Sequence, residues 1–445
     1  MPTSTFKFLQ FSDVLLDGKL TGNLVSPYGI ISTGFSLPKA ERQERAREIL
    51  EATVNAFAIA KQENVDAVFI PGGLWDNETI SGYTVNTVIE SVATLGDIPV
   101  YIAPGLTDYH TRSSLYSNDM LQARGLRSWP ANVHIFSSEH FASLVHPKRG
   151  DVAIVGRAIT KGSRRSERVL SGKLPRQANC AMNIAILAGT LESHPQASMA
   201  ATAGGPGKKA AQPSLVYPFS EAEMLAQNMT YFAFGHVPEP HQITAEGSDK
   251  VIGGYAGALA SGTFDKLGPR YALLGEISCD SNGECAVALN PIEIDQRRMM
   301  LISVDVSGLG DDIIKEEIMV NIEDGGVRPD LDVVALSLEG GFKPGANPLA
   351  VAEELAQTFY CMQIVDNTRP DYLAERFDER TTEWKYIQAM LDMKTKAERM
   401  SETASPQDSL SGLPGTDISG KTVEDALYYG LDALRQKRVT VRNVG

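Results

Sequence analysis

Residues 67–76, AVFIPGGLWD, and residues 98–108, IPVYIAPGLTD, decide the fold of this chain. Each begins as a short apolar run, which predicts a buried strand, and then reaches a proline and glycine, which predict a sharp turn. Residues 79–95, between the two runs, have the apolar spacing of a helix. This alternation predicts an α/β layered domain, whose strands end in glycine-containing loops at the carboxyl edge of a sheet.

The same alternation extends in both directions along the chain. Further strands are predicted at residues 6–11, 133–136, 141–145, 152–155, 183–187 and 231–234, and a helix at 38–64. Residues 251–306 predict strands and a hairpin that complete a second sheet. Beyond them we expect strands at 299–304 and 333–339, and helices at 311–320, 348–357, 382–400 and 422–437.

Length and composition restrict the class of protein. With 445 residues, 43% hydrophobic and 22% charged, the chain is long enough for two or three globular domains, and disorder, collagen and coiled coil are excluded. The formal net charge of −14 repels nucleic acid and anionic membranes at long range, which favours protein partners. We find neither an export signal nor an apolar run of the ~18 residues that a membrane span needs.

The four cysteines do not form a Cys-x-x-Cys pair and are too few for a disulfide framework. We therefore expect a reducing, cytoplasmic location. Cys279 and Cys285 flank an Asn-Gly turn signal and could face each other across a hairpin, but we expect both to stay reduced.

Four strand-end segments follow one another in a recognisable order: FLQFSD ending at Asp13, VFIPGGLWD containing Gly73, PVYIAPGLTD ending at Asp108, and YFAFGH ending at His236. This order resembles the calcineurin-like metallophosphoesterases, whose corresponding loops carry Asp-x-His, Gly-Asp, Gly-Asn-His-Asp and Gly-His-x-His. Later segments, such as Gly253-Gly254 and Ala426 to Gly430, resemble the double-strand-break-repair exonuclease branch of the SbcD and YhaO type. The resemblance covers nearly the whole chain.

The resemblance implies a four-layer α/β/β/α metallophosphoesterase sandwich over residues 1–298. A small α+β capping domain would follow over 299–380, and C-terminal helices over 381–445, with a flexible linker near 401–420. It also implies a pair of divalent ions such as Mn²⁺, which need a bridging carboxylate and several further ligands.

At most of the site positions that the resemblance implies, the metal-binding or catalytic side chain of the family is replaced. The bridging aspartate corresponds to Gly73, and the general-acid histidine of the third loop corresponds to Thr107. Other ligand positions carry side chains that cannot bind a metal: Leu15, Leu106, Ala188 and Pro238. Asp13, Asp108 and His236 keep ligand-type side chains as vestigial positions, so we expect a catalytically inactive site, with no assigned metal ligand or catalytic residue and without a cofactor.

Two alternatives remain open for this site. His110 and His241 could join Asp13, Asp108 and His236 in a rebuilt site that holds one ion, or they could be loop histidines. Asp76 is expected to order its own loop by accepting backbone N–H groups.

The densest basic run, residues 161–168, could contact a phosphate backbone through Lys161, Arg164, Arg165 and Arg168, or could be an ordinary charged surface. Lys208 and Lys209 lie in a low-complexity stretch that we expect to be an exposed loop.

Two functions follow from these expectations. The first is a non-catalytic relative of the repair exonucleases that serves as a binding or scaffold subunit. Its partner would be an SMC-like ATPase or another protein, and a homodimer is possible in this branch. The second is a metal-dependent phosphoesterase or exonuclease that uses a rearranged or single-metal site.

Overall fold

A computed structural model describes residues 4–26, 29–194, 215–374, 377–403 and 420–436 of the chain. It contains two compact units. Unit 1 comprises residues 1–301 and 328–334, and unit 2 comprises residues 302–327 and 335–445. Lys208 and Lys209, and most of the predicted linker near 401–420, lie outside the described residues.

Two six-stranded sheets form the centre of unit 1. The first is built from β1 (Ser4–Gln10), β4 (Ala67–Ile70), β5 (Val100–Ile102), β6 (Val133–Ile135), β15 (Tyr271–Cys279) and β16 (Cys285–Glu293). The second is built from β7 (Ala142–His146), β8 (Arg149–Gly156), β9 (Met182–Ala188), β12 (Tyr231–Gly235), β13 (His241–Thr244) and β14 (Val251–Tyr255). The strand order is β16-β15-β1-β4-β5-β6 in the first sheet and β13-β14-β12-β9-β8-β7 in the second. Two short pairs add β2 (Thr21–Ser26) with β3 (Gly29–Ser36), and β10 (Thr190–Leu191) with β11 (Pro218–Phe219).

Four helices accompany these sheets: α1 (Lys39–Gln62), α2 (Gly82–Ala93), α3 (Asn118–Ala123) and α4 (Glu221–Ala226). Local sequence explains where two of them, α2 and α4, begin. The Ser81 hydroxyl accepts the backbone N–H of Thr84 at the start of α2. Ser220 and Glu223 form a reciprocal capping box at the start of α4.

Three buried apolar clusters show how the layers pack. One contains Phe8 of the first sheet and Ile184 of the second, so the two sheets share a core. Another joins the opposite face of the first sheet to Phe57 of α1 and Val88 of α2. The third covers the opposite face of the second sheet and includes Met224 of α4. The predicted mixed α/β class is confirmed by this arrangement.

Unit 2 contains a three-stranded sheet in the order β17-β18-β19 and four helices among its described residues. Its elements are β17 (Met299–Asp305), α5 (Asp311–Asp324), β18 (Val333–Phe342), α6 (Pro348–Ala356), β19 (Cys361–Pro370), α7 (Thr382–Thr403) and α8 (Gly420–Gln436), with a 3₁₀ turn at Tyr372–Ala374. Strands β17 and β18 each include residues of both units, as the unit boundaries show. A separate apolar cluster joins Tyr372, Ile387, Leu427 and Leu431.

The cysteine prediction is wrong in one respect. Cys279 and Cys285 form a disulfide and do not remain reduced. The cause is the register of the β15–β16 hairpin, which pairs these two residues directly, with their Cα atoms 4.0 Å apart. The predicted turn at Asn282-Gly283 is present between them, and Gly283 has a positive φ of 82°.

None of the helices among the described residues has the length and apolar character required to cross a membrane.

Candidate functional site

The loops that follow β1, β4 and β5 meet at one edge of the first sheet. These three strands are parallel neighbours, so their carboxyl ends lie side by side. Backbone bonds connect the loops: the N–H of Asp13 donates to Gly72 O at 3.1 Å, and that of Leu15 donates to Gly73 O at 2.9 Å. The loop after β12 joins them, because the N–H of His236 donates to Asp13 Oδ2 at 2.9 Å. The structure therefore brings together the loops that carry Asp13, Gly73, Asp108 and His236.

Gly73 stands where the resemblance requires a bridging carboxylate, and no side chain fits there. A Cβ atom at this position would lie 2.8 Å from both Cα and Oδ1 of Asp13. The backbone of Gly73 also has φ of 71°, in the left-handed region that favours glycine. The space of the missing side chain is thus occupied by Asp13 itself.

Asp108 is fully buried, and the protein's own donors occupy both of its oxygens. Oδ1 accepts the N–H of Gly73 at 2.9 Å and of Gly105 at 2.8 Å. Oδ2 accepts the N–H of Leu74 at 3.1 Å and the hydroxyl of Tyr116 at 2.7 Å. Burial raises the pKa of this carboxyl, and the four hydrogen bonds act in the opposite direction. Asp108 therefore ties the loops after β4 and β5 together.

Asp13 and His236 are neighbours with strained backbones, with φ of 53° and 88°. Asp13 Oδ2 accepts the Ser12 hydroxyl at 2.7 Å in addition to the N–H of His236. Burial lowers the pKa of His236, the carboxylate of Asp13 raises it, and the nearby charge of Arg165 lowers it further.

The histidines of the rebuilt-site alternative occupy other surroundings. The N–H of His110 donates to Ile159 O at 2.8 Å, and the ring is half-buried. His241 lies on β13, where its ring meets the His194 ring edge-on with centroids 4.8 Å apart. Within the described parts of the chain, no group of three or more His, Cys, Asp or Glu side chains is arranged to hold a metal ion.

A cavity of about 270 Å³ opens beside Asp13's loop. Leu15 and Thr107, both replacements of implied site residues, line it together with Asp76 and Lys266. Leu106, another replacement of an implied site residue, packs against the apolar cluster on the outer face of the second sheet. The Thr107 hydroxyl is buried and makes no hydrogen bond within the described structure.

Lys266 is a cavity residue that the sequence reasoning missed. Burial lowers the pKa of its ammonium group, whereas the carboxylates of Asp265 and Asp13 raise it. A lysine therefore lines the cavity beside Asp13's loop. The sequence signal for it was weak, namely a lysine directly after Asp265.

A metal pair of the kind the resemblance implies does not fit these residues. The bridging position has no room for a carboxylate, and both Asp108 oxygens already accept two donors each. Asp13 and His236 alone cannot supply the ligands that two divalent ions require.

The basic run at residues 161–168, hereafter the basic loop, is only partly available to a ligand. Arg168 forms ion pairs with Glu192 at 2.6 Å and with Glu223 at 2.7 Å, so its charge is neutralised within the protein. Lys161, Arg164 and Arg165 have exposed side chains. Asp76 orders its own loop as predicted, because its Oδ1 accepts the N–H of Glu78 at 2.9 Å.

His194 should make the stability of the protein depend on pH. Burial, together with the charge of neighbouring His241, lowers the pKa of His194 from 6.5 to about 4. The folded state therefore binds fewer protons than the unfolded state between these values. The stability that depends on this group is fully present above pH 6.5 and is lost as the pH falls through 4, by about 3 kcal/mol in total.

Urea unfolding at several pH values measures this effect. His194→Phe keeps a ring in contact with His241 and Tyr255 but cannot titrate, so the variant should lose less stability on acidification. An identical pH dependence in the variant and the parent chain would contradict the assignment.

Comparison with known proteins was made for the whole chain. No protein-family model matches it, and no curated protein matches it. Among solved structures, TT1561 of Thermus thermophilus has a TM-score of 0.32 and 10% identity, covering 64% of this chain and 99% of its own. Purple acid phosphatase PPD1 from yellow lupin (Lupinus luteus) seeds has a TM-score of 0.30 and 13% identity, covering 64% of this chain and 53% of its own. A dimetal phosphatase from Danio rerio has a TM-score of 0.35 and 12% identity, covering 66% of this chain and 99% of its own.

Proposed function

We propose that this chain is a non-catalytic relative of the calcineurin-like metallophosphoesterases, of the SbcD and YhaO type, and that it acts as a binding or scaffold subunit. The observation that carries the proposal is the position of Gly73. Asp13 occupies the space where a side chain at this position would lie, so a bridging carboxylate does not fit there. The order of the four strand-end loops supports the family part of the proposal.

The contacts of Asp13 support the loss of catalysis. A two-metal site balances its carboxylates with divalent ions. Here Asp13 Oδ2 accepts the Ser12 hydroxyl and the N–H of His236, and Lys266 lines the adjoining cavity. Asp13 is thus engaged by groups of the protein itself.

The partner belongs to the same proposal. We propose an SMC-like ATPase or another protein, and a homodimer is a further possibility for light scattering to test. The net charge of −14 favours a protein over nucleic acid. Only Lys161, Arg164 and Arg165 of the basic loop have side chains available for a local phosphate contact, since Arg168 is paired. A cytoplasmic location stays a prediction, and the Cys279–Cys285 disulfide does not support it.

Metal binding and turnover test the proposal directly. After incubation with MnCl₂ and removal of free ions, mass spectrometry should find much less than one manganese per chain. Neither a linear DNA duplex nor a simple phosphodiester should be cleaved. EDTA should leave the melting temperature within about 1 °C, because no bound ion contributes to folding.

Asp13→Ala and His236→Ala separate the protein's own activity from a contaminating nuclease. One manganese per chain, with turnover that disappears in both variants, would contradict the proposal and favour a rearranged or single-metal enzyme. Residual cleavage that is unchanged in both variants would be assigned to a contaminant.

A further inference from the structure

Arg157 has an unusual environment for an arginine. It directly follows β8, and only 7% of its side chain is exposed. Its guanidinium makes no hydrogen bond to any residue that the structure describes. Among the described residues, the one carboxylate paired with it is Glu167, with Nη1 and Oε1 4.0 Å apart. A buried charge normally has closer partners, because removing it from water is costly.

Two aromatic rings hold the guanidinium in place. Its Cζ atom lies 5.6 Å from the ring centroid of Phe141 and 5.6 Å from that of Tyr217. Arginine is stabilised by such contacts with ring faces, and they leave the N–H groups at the edge of the guanidinium available. The chain after Arg157 is anchored as well, since the N–H of Ala158 donates to Ser138 O at 2.8 Å and that of Ile159 to Pro104 O at 2.8 Å.

Arg157 lines a cavity of about 500 Å³. This volume lies in the range of small-molecule sites, about 300–1,000 Å³. Arg164 adds a second cation to the lining, and Ser166 adds a hydroxyl. The cavity lies beyond the carboxyl end of β8, where α/β sheets usually bind their ligands.

Two carboxylates in the lining indicate that the ligand must also carry hydrogen-bond donors. Glu139 and Glu167 line the same cavity, so the charges of the two arginines are matched by two acids. A bare anion would meet repulsion from these carboxylates. A phosphorylated compound with hydroxyl groups could place its phosphoryl group on Arg157 and donate its hydroxyls to the acids.

We propose that this cavity binds a small phosphomonoester that carries hydroxyl groups, such as a sugar phosphate or a nucleotide. The fork of N–H groups on Arg157 donates to the phosphoryl oxygens in a bidentate manner. Arg164 and Ser166 add contacts to the same group, and Glu139 and Glu167 accept hydrogen bonds from the sugar. The lining of this cavity does not include Asp13, Asp108 or His236, and the proposal does not depend on the function proposed above.

Isothermal titration of the full chain tests the proposal with four probes: ribose 5-phosphate, adenosine 5′-monophosphate, inorganic phosphate and ribose. Ribose 5-phosphate should bind saturably and at least tenfold more tightly than inorganic phosphate or ribose. If adenosine 5′-monophosphate binds more tightly still, the ligand is a nucleotide, and if it binds more weakly, the ligand is a sugar phosphate. No saturable binding of either phosphomonoester up to about 10 mM would overturn the proposal.

Variants test whether ribose 5-phosphate binds in this cavity. Arg157→Gln should weaken ribose 5-phosphate at least tenfold, and Arg157→Lys, which keeps the charge and the long side chain but loses the fork, should also weaken it. Arg176→Gln removes the same charge from an exposed position outside the lining and should leave affinity within twofold. Glu167→Gln should strengthen inorganic phosphate binding at least threefold, because it removes a repelling charge.

Three outcomes would contradict the assignment. Equal weakening in Arg176→Gln and Arg157→Gln would show binding through general charge. Unchanged affinity in a folded Arg157→Lys variant would exclude bidentate recognition. Binding of a DNA oligonucleotide without binding of ribose 5-phosphate would assign the basic loop to nucleic acid instead.

Discussion

Gly73→Asp, the substitution that restores the carboxylate of an active relative, should destabilise the protein by about 4 kcal/mol and should not confer manganese binding. The new Cβ atom would lie 2.8 Å from Cα and Oδ1 of Asp13. The residue would also have to adopt a left-handed backbone, with φ of 71°. Urea unfolding monitored by circular dichroism measures the loss, and mass spectrometry measures the manganese.

Gly125→Ala is the matched control for this substitution. Gly125 has a similar φ of 68°, but a Cβ atom there would have nothing within 4 Å. It should therefore lose only the cost of the backbone conformation, about 1 kcal/mol. If Gly73→Asp had the stability of the parent chain and bound one manganese, the crowding at Gly73 would not explain the loss of the site.

Asp108→Ala should destabilise the protein by about 4 kcal/mol, because three backbone N–H groups and the Tyr116 hydroxyl would lose their acceptor inside the protein. Asp108→Asn should lose less, since its carbonyl oxygen still accepts some of these donors. Thermal and urea unfolding of both variants provide the measurement.

The sign of the stability change in Asp108→Ala distinguishes two roles for this carboxylate, metal binding and the joining of two loops. A carboxylate retained for metal binding is often strained, so its removal is neutral or stabilising. A carboxylate that ties two loops together is stabilising, and Tyr116→Phe, which removes one of four donors, should lose about 1 kcal/mol. An Asp108→Ala variant as stable as the parent chain would show that the loops do not depend on this residue.

Much of the fold could be predicted from the sequence because its buried strands are continuously apolar. The apolar run that begins at Ala67 predicts strand β4 correctly, since every side chain of this strand is buried. Strand β19 was missed, because CMQIVDNTRP has a polar second half and no clean alternation. Helix α5 continues to Asp324, beyond the predicted end, because Ile322 extends its buried stripe.

The candidate site was predicted less completely, for a different reason. The order of the four loops indicated which segments meet, and the structure brings those segments together. Sequence could not show that Asp13 fills the space beside Gly73, since this depends on the distance between two separate loops. It could not single out Arg157 either, because an arginine after an apolar run is usually exposed.

The disulfide of the β15–β16 hairpin has a consequence for association between copies of the chain. Strand β16 lies at the edge of the first sheet, where unpaired backbone groups can recruit a strand from another molecule. A covalent bond between Cys279 and Cys285, at the turn end of the hairpin, prevents a slip in register that would turn its side chains to the opposite face. Pro291, in the same edge strand, has no N–H to offer a neighbour. The disulfide and Pro291 both oppose the addition of a strand from another molecule at this edge. Reduction of the disulfide would remove the first of these two obstacles and leave Pro291.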